Sequence, residues 1–332
     1  MKEKILSISI ASYNVSAYLV NTVESLIMDD DHLNKIEIII VNDGSKDDTS
    51  TIAHDLEKKY PGSVIVIDKK NGGYGSTINA SLAIASGKYY RLLDGDDWYD
   101  TEALTAFIDY LETCESDVVI TPYYEVRKEK ILIDNHSEIP ETTTDINRIH
   151  IAEKYFAMHE IAIKTKLLRS LDRQIVEHCF YTDAEYVFYC LCASDTISRF
   201  SKAVYCYRLG VEGQSVSIEG IRKHHEDLPK VADKIYDCYS AYSDSTGTKR
   251  ELLDFCVLNI TYQTYRAYML LKKPLSKRKE LMHFDGNIKS HYEKAYSISN
   301  NSKLIKTARK LHFRPYILFC KFVTKAIIAE NQ

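Results

Sequence analysis

The sequence predicts an α/β protein: a mostly parallel central sheet with helices on both faces, followed by a helical C-terminal region. Three observations point there. Short β-branched runs alternate with helical patterns through the first half of the chain, which is how successive βαβ units read in sequence. The run Ile36 to Val41 is almost continuously apolar, as a strand covered on both faces has to be. Beyond about Gly220 the strand pattern stops, and helical segments are broken at Pro229, residues 243 to 247, Pro274 and Pro315.

In order, Ile5 to Ala11 reads as the first strand and Val15 to Ile27 as a helix with Leu19, Val23 and Leu26 on one face. Ile36 to Val41 is the second strand. Thr49 to Tyr60 is helical, and Pro61-Gly62 ends it before a third strand at Val64 to Ile67. The loop Asn71-Gly72-Gly73-Tyr74-Gly75 leads into a helix from Ser76 to Ala85, which Gly87 stops. Tyr89 to Leu93 is the fourth strand and runs straight into Asp94-Gly95-Asp96-Asp97. Thr101 to Thr113 is helical and Asp117 to Thr121 a strand, after which 123 to 144 is irregular, with the look of a hairpin and a polar excursion. A helix is expected near Ala152 to His159, a strand at Ile161 to Lys164, a helix from Asp183 to Cys192, and strands at Ile197 to Phe200 and Val204 to Tyr207.

Composition limits the function classes. With 45% hydrophobic and 27% charged residues over 332 positions, the chain has material for a large core. Its formal net charge of −4 does not favour wholesale binding to phosphate-rich nucleic acid, and no nucleic-acid partner is expected. The average conceals an asymmetry: residues 302 to 332 carry seven basic residues against one acid, and the rest of the chain is net negative. The eight cysteines include no C-x-x-C pair and read as buried thiols of a reducing compartment, without a zinc or disulfide framework. Met1-Lys2-Glu3-Lys4 runs into a strand-like segment with no signal-peptide pattern. The stretch Tyr316 to Ala329, interrupted by Lys321 and Lys325, is too short to span a bilayer, so a cytoplasmic protein is expected. Tyrosine is abundant, 25 against 10 Phe, which suits wet, polar-tipped surfaces or reflects a compositional habit of the source.

In an open α/β sheet, ligands bind outside the carboxyl ends of the strands. Three strand ends carry the informative residues: Ser12-Tyr13-Asn14, Asn42-Asp43-Gly44-Ser45 and Asp94-Gly95-Asp96-Asp97. Acids at such a crevice repel a nucleoside diphosphate unless a divalent cation intervenes. Carboxylates at i and i+2 on a tight turn suit a hard cation such as Mg²⁺ or Mn²⁺, with phosphate oxygens and water completing its shell. The phosphate-cradling alternatives, G-x-x-x-x-G-K-[ST] and G-x-G-x-x-G after the first strand, are missing. Each motif alone also reads as an ordinary turn or helix cap; their occurrence together, in order and each at a strand end, favours a site.

On these motifs the chain resembles the family 2 glycosyltransferases of the GT-A fold, which include many bacterial enzymes for capsule, exopolysaccharide and lipopolysaccharide sugars. The family's S-Y-N, D-G-S, N-G-G-x-x-x-x-x-N and D-x-D-D patterns are matched by Ser12-Tyr13-Asn14, Asp43-Gly44-Ser45, Asn71-Gly72-Gly73 with Asn79, and Asp94-Gly95-Asp96-Asp97. The resemblance covers about residues 4 to 218. It implies a GT-A catalytic domain over 1–218, with a nucleotide-sugar part to about 121 and an acceptor part over about 122–218, and leaves 219–332 as a helical region. The activity it implies is inverting, metal-dependent transfer of a sugar from a UDP-sugar donor to a hydroxyl of a glycan, lipid-linked or protein-linked acceptor.

Position by position, the resemblance implies that Ala11 offers backbone contacts, Tyr13 packs near the uracil and Asp43 hydrogen-bonds the base. Asn71 and Asn79 belong to the donor-binding loop and helix. Asp94 faces the ribose or metal, and Asp96 is the direct metal ligand bridging to the diphosphate. The family's acidic pair before a helix, usually E-D, is matched by Thr182-Asp183, which makes Asp183 the catalytic base with Glu185 as fallback. The closing arginine and serine-containing loop are matched by Arg208 and residues 213 to 217, with Arg208 and Ser215 at the diphosphate. Two departures remain: Gly210 stands where a histidine is often found, and Ile78 where an arginine frequently precedes Asn79.

Two other classes compete with a transferase. A sugar-1-phosphate nucleotidyltransferase usually has a Gly-rich, basic loop after the first strand, which Ser12 to Ser16 does not supply. A non-catalytic sugar-nucleotide or carbohydrate-binding protein would release no UDP. In the tail, Leu304, Ala308 and Leu311, then Leu318, Phe322 and Ala326, recur at helical spacing with cations between them. That pattern fits peripheral contact with an anionic membrane at the inner face of the plasma membrane, or packing on the chain's own domain or a second subunit of a homo-oligomer.

Overall fold

The computed structural model describes residues 4–210, 218–242, 246–271 and 274–330. The chain divides into two compact units, Met1–Val211 and Glu212–Gln332.

In the first unit the strands are β1 (Leu6–Ser12), β2 (Ile36–Asn42), β3 (Val64–Asp68), β4 (Tyr89–Asp94), β5 (Trp98–Tyr99), β6 (Val118–Ile120), β7 (Tyr123–Val126), β8 (Lys130–Ile133), β9 (Thr144–Asp145), β10 (Ile161–Lys164), β11 (Thr196–Arg199) and β12 (Tyr205–Arg208). Eight of them form the main sheet in the order β3-β2-β1-β4-β10-β6-β11-β9. Strands β3, β2, β1 and β4 are parallel. β10 runs antiparallel between β4 and β6, β11 is parallel to β6, and β9 closes the edge antiparallel. A smaller sheet has the order β5-β12-β7-β8. The mostly parallel sheet expected from the alternating pattern is therefore present.

Burial explains why the sequence forms this sheet. Ile36, Ile38, Ile39, Ile40 and Val41 are all buried, so β2 is covered on both faces and its nearly continuous apolar run, broken only by Glu37, is required rather than incidental. The helix Thr101–Thr113 starts at Asp100, whose side chain accepts the Ala103 N–H, and it buries Leu104, Phe107, Ile108 and Leu111. That i, i+3, i+4, i+7 stripe is the helix's core face, each large side chain contributing about 1.5 to 3 kcal/mol on burial.

Two expectations are corrected. The helix expected over Val15 to Ile27 is only Leu19–Glu24; before it, the Val15 and Ser16 N–H groups bond the side chains of Thr49 and Asp47. No α-helix forms at Ala152 to His159; that stretch is extended and ends in a 3₁₀ turn, Met158–Glu160. Glutamate side chains take its amides: Glu138 accepts from Ala152, Glu153 from Tyr155, and Glu160 from Ala157. A short helix, Thr165–Ser170, had no sequence signal. The irregular stretch after residue 123 does contain a hairpin, β7 and β8.

The tyrosine excess belongs to the core as much as to the surface. Tyr89, Tyr90, Tyr99, Tyr186, Tyr189 and Tyr205 are among the largest fully buried side chains. Their rings fill the interior, and the hydroxyls of Tyr89 and Tyr99 donate to main-chain carbonyls, Ser116 O at 2.7 Å and Leu92 O at 3.0 Å. Of the eight cysteines, all are free thiols and only Cys256 is less than buried.

The second unit is helical in its described residues, with the long helix Gly247–Met269 packed against Asp227–Tyr242, Pro274–His291, Glu293–Ser299, Lys303–Lys310 and Tyr316–Glu330. A buried ion pair fixes one of these: Arg309 reaches Asp285 at 2.6 Å and lies 3.7 Å over the Tyr296 ring, while Tyr265 donates to the same carboxylate. Among the described residues no helix is long and apolar enough to cross a membrane.

Candidate active site

Strands β2, β1 and β4 lie side by side in register, with Ala11 opposite both Val41 and Asp94 and Ser12 opposite Asn42. Because these strands are parallel, their three motif-bearing ends open on the same edge of the sheet. A cleft of about 570 Å³ lies there, and Ala11, Tyr13, Asp43, Asn71, Asp94 and Asp96 all line it. Six of the ten residues assigned to the site above are thus brought together by one sheet edge.

The loops are stitched to each other. Asn14, in the left-handed region at φ 54, accepts the Lys46 N–H, and its own N–H donates to Ser45 Oγ. Gly95 donates to Ala11 O at 3.0 Å. A Cβ on Gly95 would lie 2.8 Å from that oxygen and 2.9 Å from a Val15 methyl, so the aspartate turn can approach β1 this closely only with glycine there.

Asp43 is buried and holds the next loop rather than facing the cleft freely. Its Oδ1 accepts from Gly72 N–H at 2.8 Å and Lys69 Nζ at 2.9 Å, and its Oδ2 from Gly73 N–H at 2.8 Å. Asn71 donates to the Asp43 carbonyl at 2.9 Å. Asn79 is elsewhere: its amide bonds both main-chain groups of Ile175, at 2.9 Å each, and Glu177. Of the donor contacts expected from the resemblance, this one has its side chain committed to another task, latching the segment before the helix Thr182–Ala193. Glu185, the fallback base, is fully buried and accepts the Val176 N–H, so it supports the same segment and is out of reach of a substrate hydroxyl.

Asp94, Asp96 and Asp97 each place a carboxylate oxygen within 4.8 Å of the others. Asp97 is already engaged on both oxygens, by Tyr205 OH and Arg208 N–H, each at 2.6 Å. Asp94 keeps a buried oxygen with no hydrogen-bond partner. Burial, and then repulsion from Asp96, push Asp94 up to about 7; burial, and then Asp94, push Asp97 up to about 8. Three acids sharing so small a space cannot all ionise unless a cation compensates. The donor set is all oxygen, one oxygen is orphaned, and the group opens into the cleft, so the residues fit a hard divalent cation held by Asp94 and Asp96, with Asp97 as the bracket behind them.

Asp183 opens the helix Thr182–Ala193 after Tyr181, which sits in the left-handed region at φ 65. It is exposed to solvent, and desolvation by the surrounding protein raises its carboxyl above the ordinary range despite the Ala184 N–H. Its charge makes the smallest contribution to the raised Asp94 carboxyl, after burial and Asp96. Arg208 Nε donates to Asp96 O at 2.8 Å, and its guanidinium lies 4.7 Å over Trp98 and 5.0 Å over Tyr18. Arg208 therefore flanks the acid group. Ser215 lies outside the described residues.

Sequence reasoning missed His178 and Cys179, which line the cleft with Phe180, and also Tyr74 and Thr77. His178 adopts φ 53 and donates its N–H to Gly72 O, so the segment latched by Asn79 and Glu185 becomes a wall of the cleft. Nothing in its spacing marks this, because the wall is made by contacts between segments roughly a hundred residues apart.

The sequence profile of glycosyl transferase family 2 matches residues 7–180. Among curated relatives, the minor teichoic acid biosynthesis protein GgaB of Bacillus subtilis is 32% identical over 120 residues, 36% of this chain and 13% of that protein. The chain spans less than two thirds of the length of the curated relatives it first matches, 61% in the case of B. subtilis EpsJ. A crystal structure of S. aureus TarS in complex with UDP-GlcNAc matches with a TM-score of 0.73 at 19% identity, covering 97% of this chain and 92% of that one. A mannosyltransferase from Pyrobaculum calidifontis in complex with GDP-Man and Mn²⁺ matches at 0.52 and 12% identity, covering 98% and 86%. At these identities the likeness is one of fold, and the fold is GT-A with C-terminal helices. With the profile covering more than half of its residues, the chain belongs to glycosyl transferase family 2.

Proposed function

We propose that the enzyme transfers a sugar, with inversion, from a UDP-sugar held at the Asp94–Asp96 cleft with a divalent cation to a hydroxyl of a cell-surface glycan or lipid-linked acceptor. The observation that carries this reading is the acid group at the end of β4, with a buried Asp94 oxygen unpaired and the Asp183 carboxyl in its electrostatic field. When bound, the cation supplies positive charge against the leaving diphosphate. The TarS structure holds UDP-GlcNAc and the mannosyltransferase holds GDP-Man with Mn²⁺; both support a nucleotide-sugar donor, and the second supports manganese.

The chain's own residues divide the work. Tyr13, exposed on the cleft wall, offers a face for the base, and Ala11 a main-chain edge. Asp43 keeps the Asn71–Gly73 loop closed under the nucleotide. Arg208, next to Asp96, offers N–H donors and positive charge toward the diphosphate. Asp183 accepts the proton of the acceptor hydroxyl as its oxygen bonds the anomeric carbon and the bond from that carbon to the UDP oxygen breaks. A raised carboxyl is a stronger base than an ordinary one at neutral pH.

Two variants test the assignment in a UDP-release assay run with Mn²⁺ and a panel of UDP-sugars. Asp96→Ala abolishes Mn²⁺-dependent UDP binding. Asp183→Asn keeps UDP binding and loses turnover by a factor of about 10² or more. Wild-type turnover by Asp183→Asn sinks the base assignment, and UDP binding indifferent to Mn²⁺ sinks the cation site.

A further inference from the structure

We propose that the helix Tyr316–Glu330, with the turn before it, is a docking surface for an anionic lipid membrane. The helix buries Tyr316, Cys320 and Val323 against Gly247–Met269 and Pro274–His291 of its own unit. On the opposite side, Ile317, Leu318, Lys321, Phe322 and Lys325 are all exposed, and at 3.6 residues per turn they occupy a single arc of about 140°. Leu318 is 61% and Phe322 68% exposed. Leu311 and Arg314, in the segment before the helix, are exposed as well.

A lone surface leucine needs no explanation, but a cluster of large apolar side chains rimmed by charge does. Residues 302 to 329 contain seven Lys and Arg and no Asp or Glu, and of these Arg309 is committed to Asp285. This charge selects the occupant. A second copy paired through this same face would bring the same cations against themselves. A nucleic acid would meet the cations and leave Leu318 and Phe322 in water. An anionic bilayer uses both: headgroup phosphates meet Arg314, Lys321 and Lys325, and Ile317, Leu318 and Phe322 enter the acyl boundary, with the lysine stems lying along the apolar layer.

The surface differs from the one the sequence spacing suggests. Ala308 is buried on its own unit, and Leu304 and Ala326 are half-buried, while Ile317, absent from that spacing, joins the exposed arc. The residues all lie in the second unit, so the inference stands apart from the donor site.

The test is co-sedimentation of the full chain with vesicles of phosphatidylcholine alone and of phosphatidylcholine mixed with phosphatidylglycerol in equal parts. Wild type partitions onto the mixed vesicles and not onto phosphatidylcholine, and salt weakens the binding. Lys321→Gln with Lys325→Gln lowers the partition coefficient about 25-fold, about fivefold for each charge. Leu318→Ser with Phe322→Ser lowers it at least about tenfold. Leu132→Ser, at another exposed apolar position, on β8, leaves it unchanged. All five substitutions are at exposed positions, and an unaltered melting temperature verifies that each variant folds. Equal sedimentation of wild type and both double variants overturns the proposal. So does a wild-type oligomer that Leu318→Ser with Phe322→Ser dissociates, which would assign the face to a second copy. UDP release without vesicles reads the donor site independently of either result.

Discussion

Replacing Asp43 by asparagine separates two accounts of that residue. The resemblance assigns it to the nucleotide base; the structure gives its oxygens to Gly72 N–H, Gly73 N–H and Lys69. Asparagine has the same shape but only one acceptor oxygen, so its NH₂ must face one set of these donors. At a site this buried, an N–H left without an acceptor costs about 1 to 3 kcal/mol. The half-buried Lys69 ammonium loses its counter-charge, about 1 kcal/mol more once solvent screening is allowed for. The total, about 2 to 4 kcal/mol, corresponds to a fall in melting temperature of about 5 to 15 °C for a unit of this size. The assay is thermal unfolding without ligand, paired with UDP titration. A drop in UDP affinity with a melting temperature within about 2 °C of wild type would refute the loop-clamp reasoning and restore Asp43 to a contact with the base alone.

Three further outcomes are expected. Asn79→Ala removes the bonds to Ile175 and Glu177, so hydrogen exchange across 174–180 rises and kcat/KM falls about tenfold with Mn²⁺ affinity unchanged; unchanged exchange there removes the latch. Asp94 and Asp97, pushed up to about 7 and about 8 from an unfolded value near 4, hold protons that the unfolded chain releases. Their stabilising contribution is therefore complete below about pH 4 and lost as pH rises through about 8, so Mn²⁺ should raise the melting temperature more at about pH 8 than at about pH 5.5, and equal shifts would separate these acids from the metal. Gly95→Ala forces a Cβ to within 2.8 Å of Ala11 O and should cost about 1 to 3 kcal/mol in urea unfolding, whereas Gly286→Ala, in a helix with open space around it, should be neutral or stabilising by up to about 1 kcal/mol; a neutral Gly95→Ala would mean that the turn does not need its close approach to β1.

The parts of the site that were legible lie within a few residues of a strand end. Ser12 to Asn14, Asp43 and Asp94 to Asp96 could be placed because a parallel strand sends its carboxyl end to one edge, and an apolar run followed by small and acidic residues marks where it stops. Asn79, Glu185 and His178 were not legible in the same way. Their partners, the Ile175 main chain, the Val176 N–H and the Gly72 carbonyl, belong to other segments, and an amide or carboxylate in a helix looks the same whether it latches a loop or faces a substrate. The stretch Ala152 to His159 misled for a related reason: helical propensity is a weak prior, and glutamates at 138, 153 and 160 capture the amides that a helix would have used.

The sequence by itself determined the parallel sheet, the order of the motifs along it and the family, because hydrophobic periodicity and motif spacing are local properties written along the chain. The tertiary structure alone decided which acids remain available. Asp97 and Asp43 are consumed by donors from β12 and from the Lys69–Gly73 loop, Glu185 is sealed in the core, and Asp94 keeps a buried oxygen unpaired. Four carboxylates of the same chemistry thus become clamp, bracket, core support and an acid with an oxygen left over, as desolvation and hydrogen-bond donors from distant segments set what each can still bind.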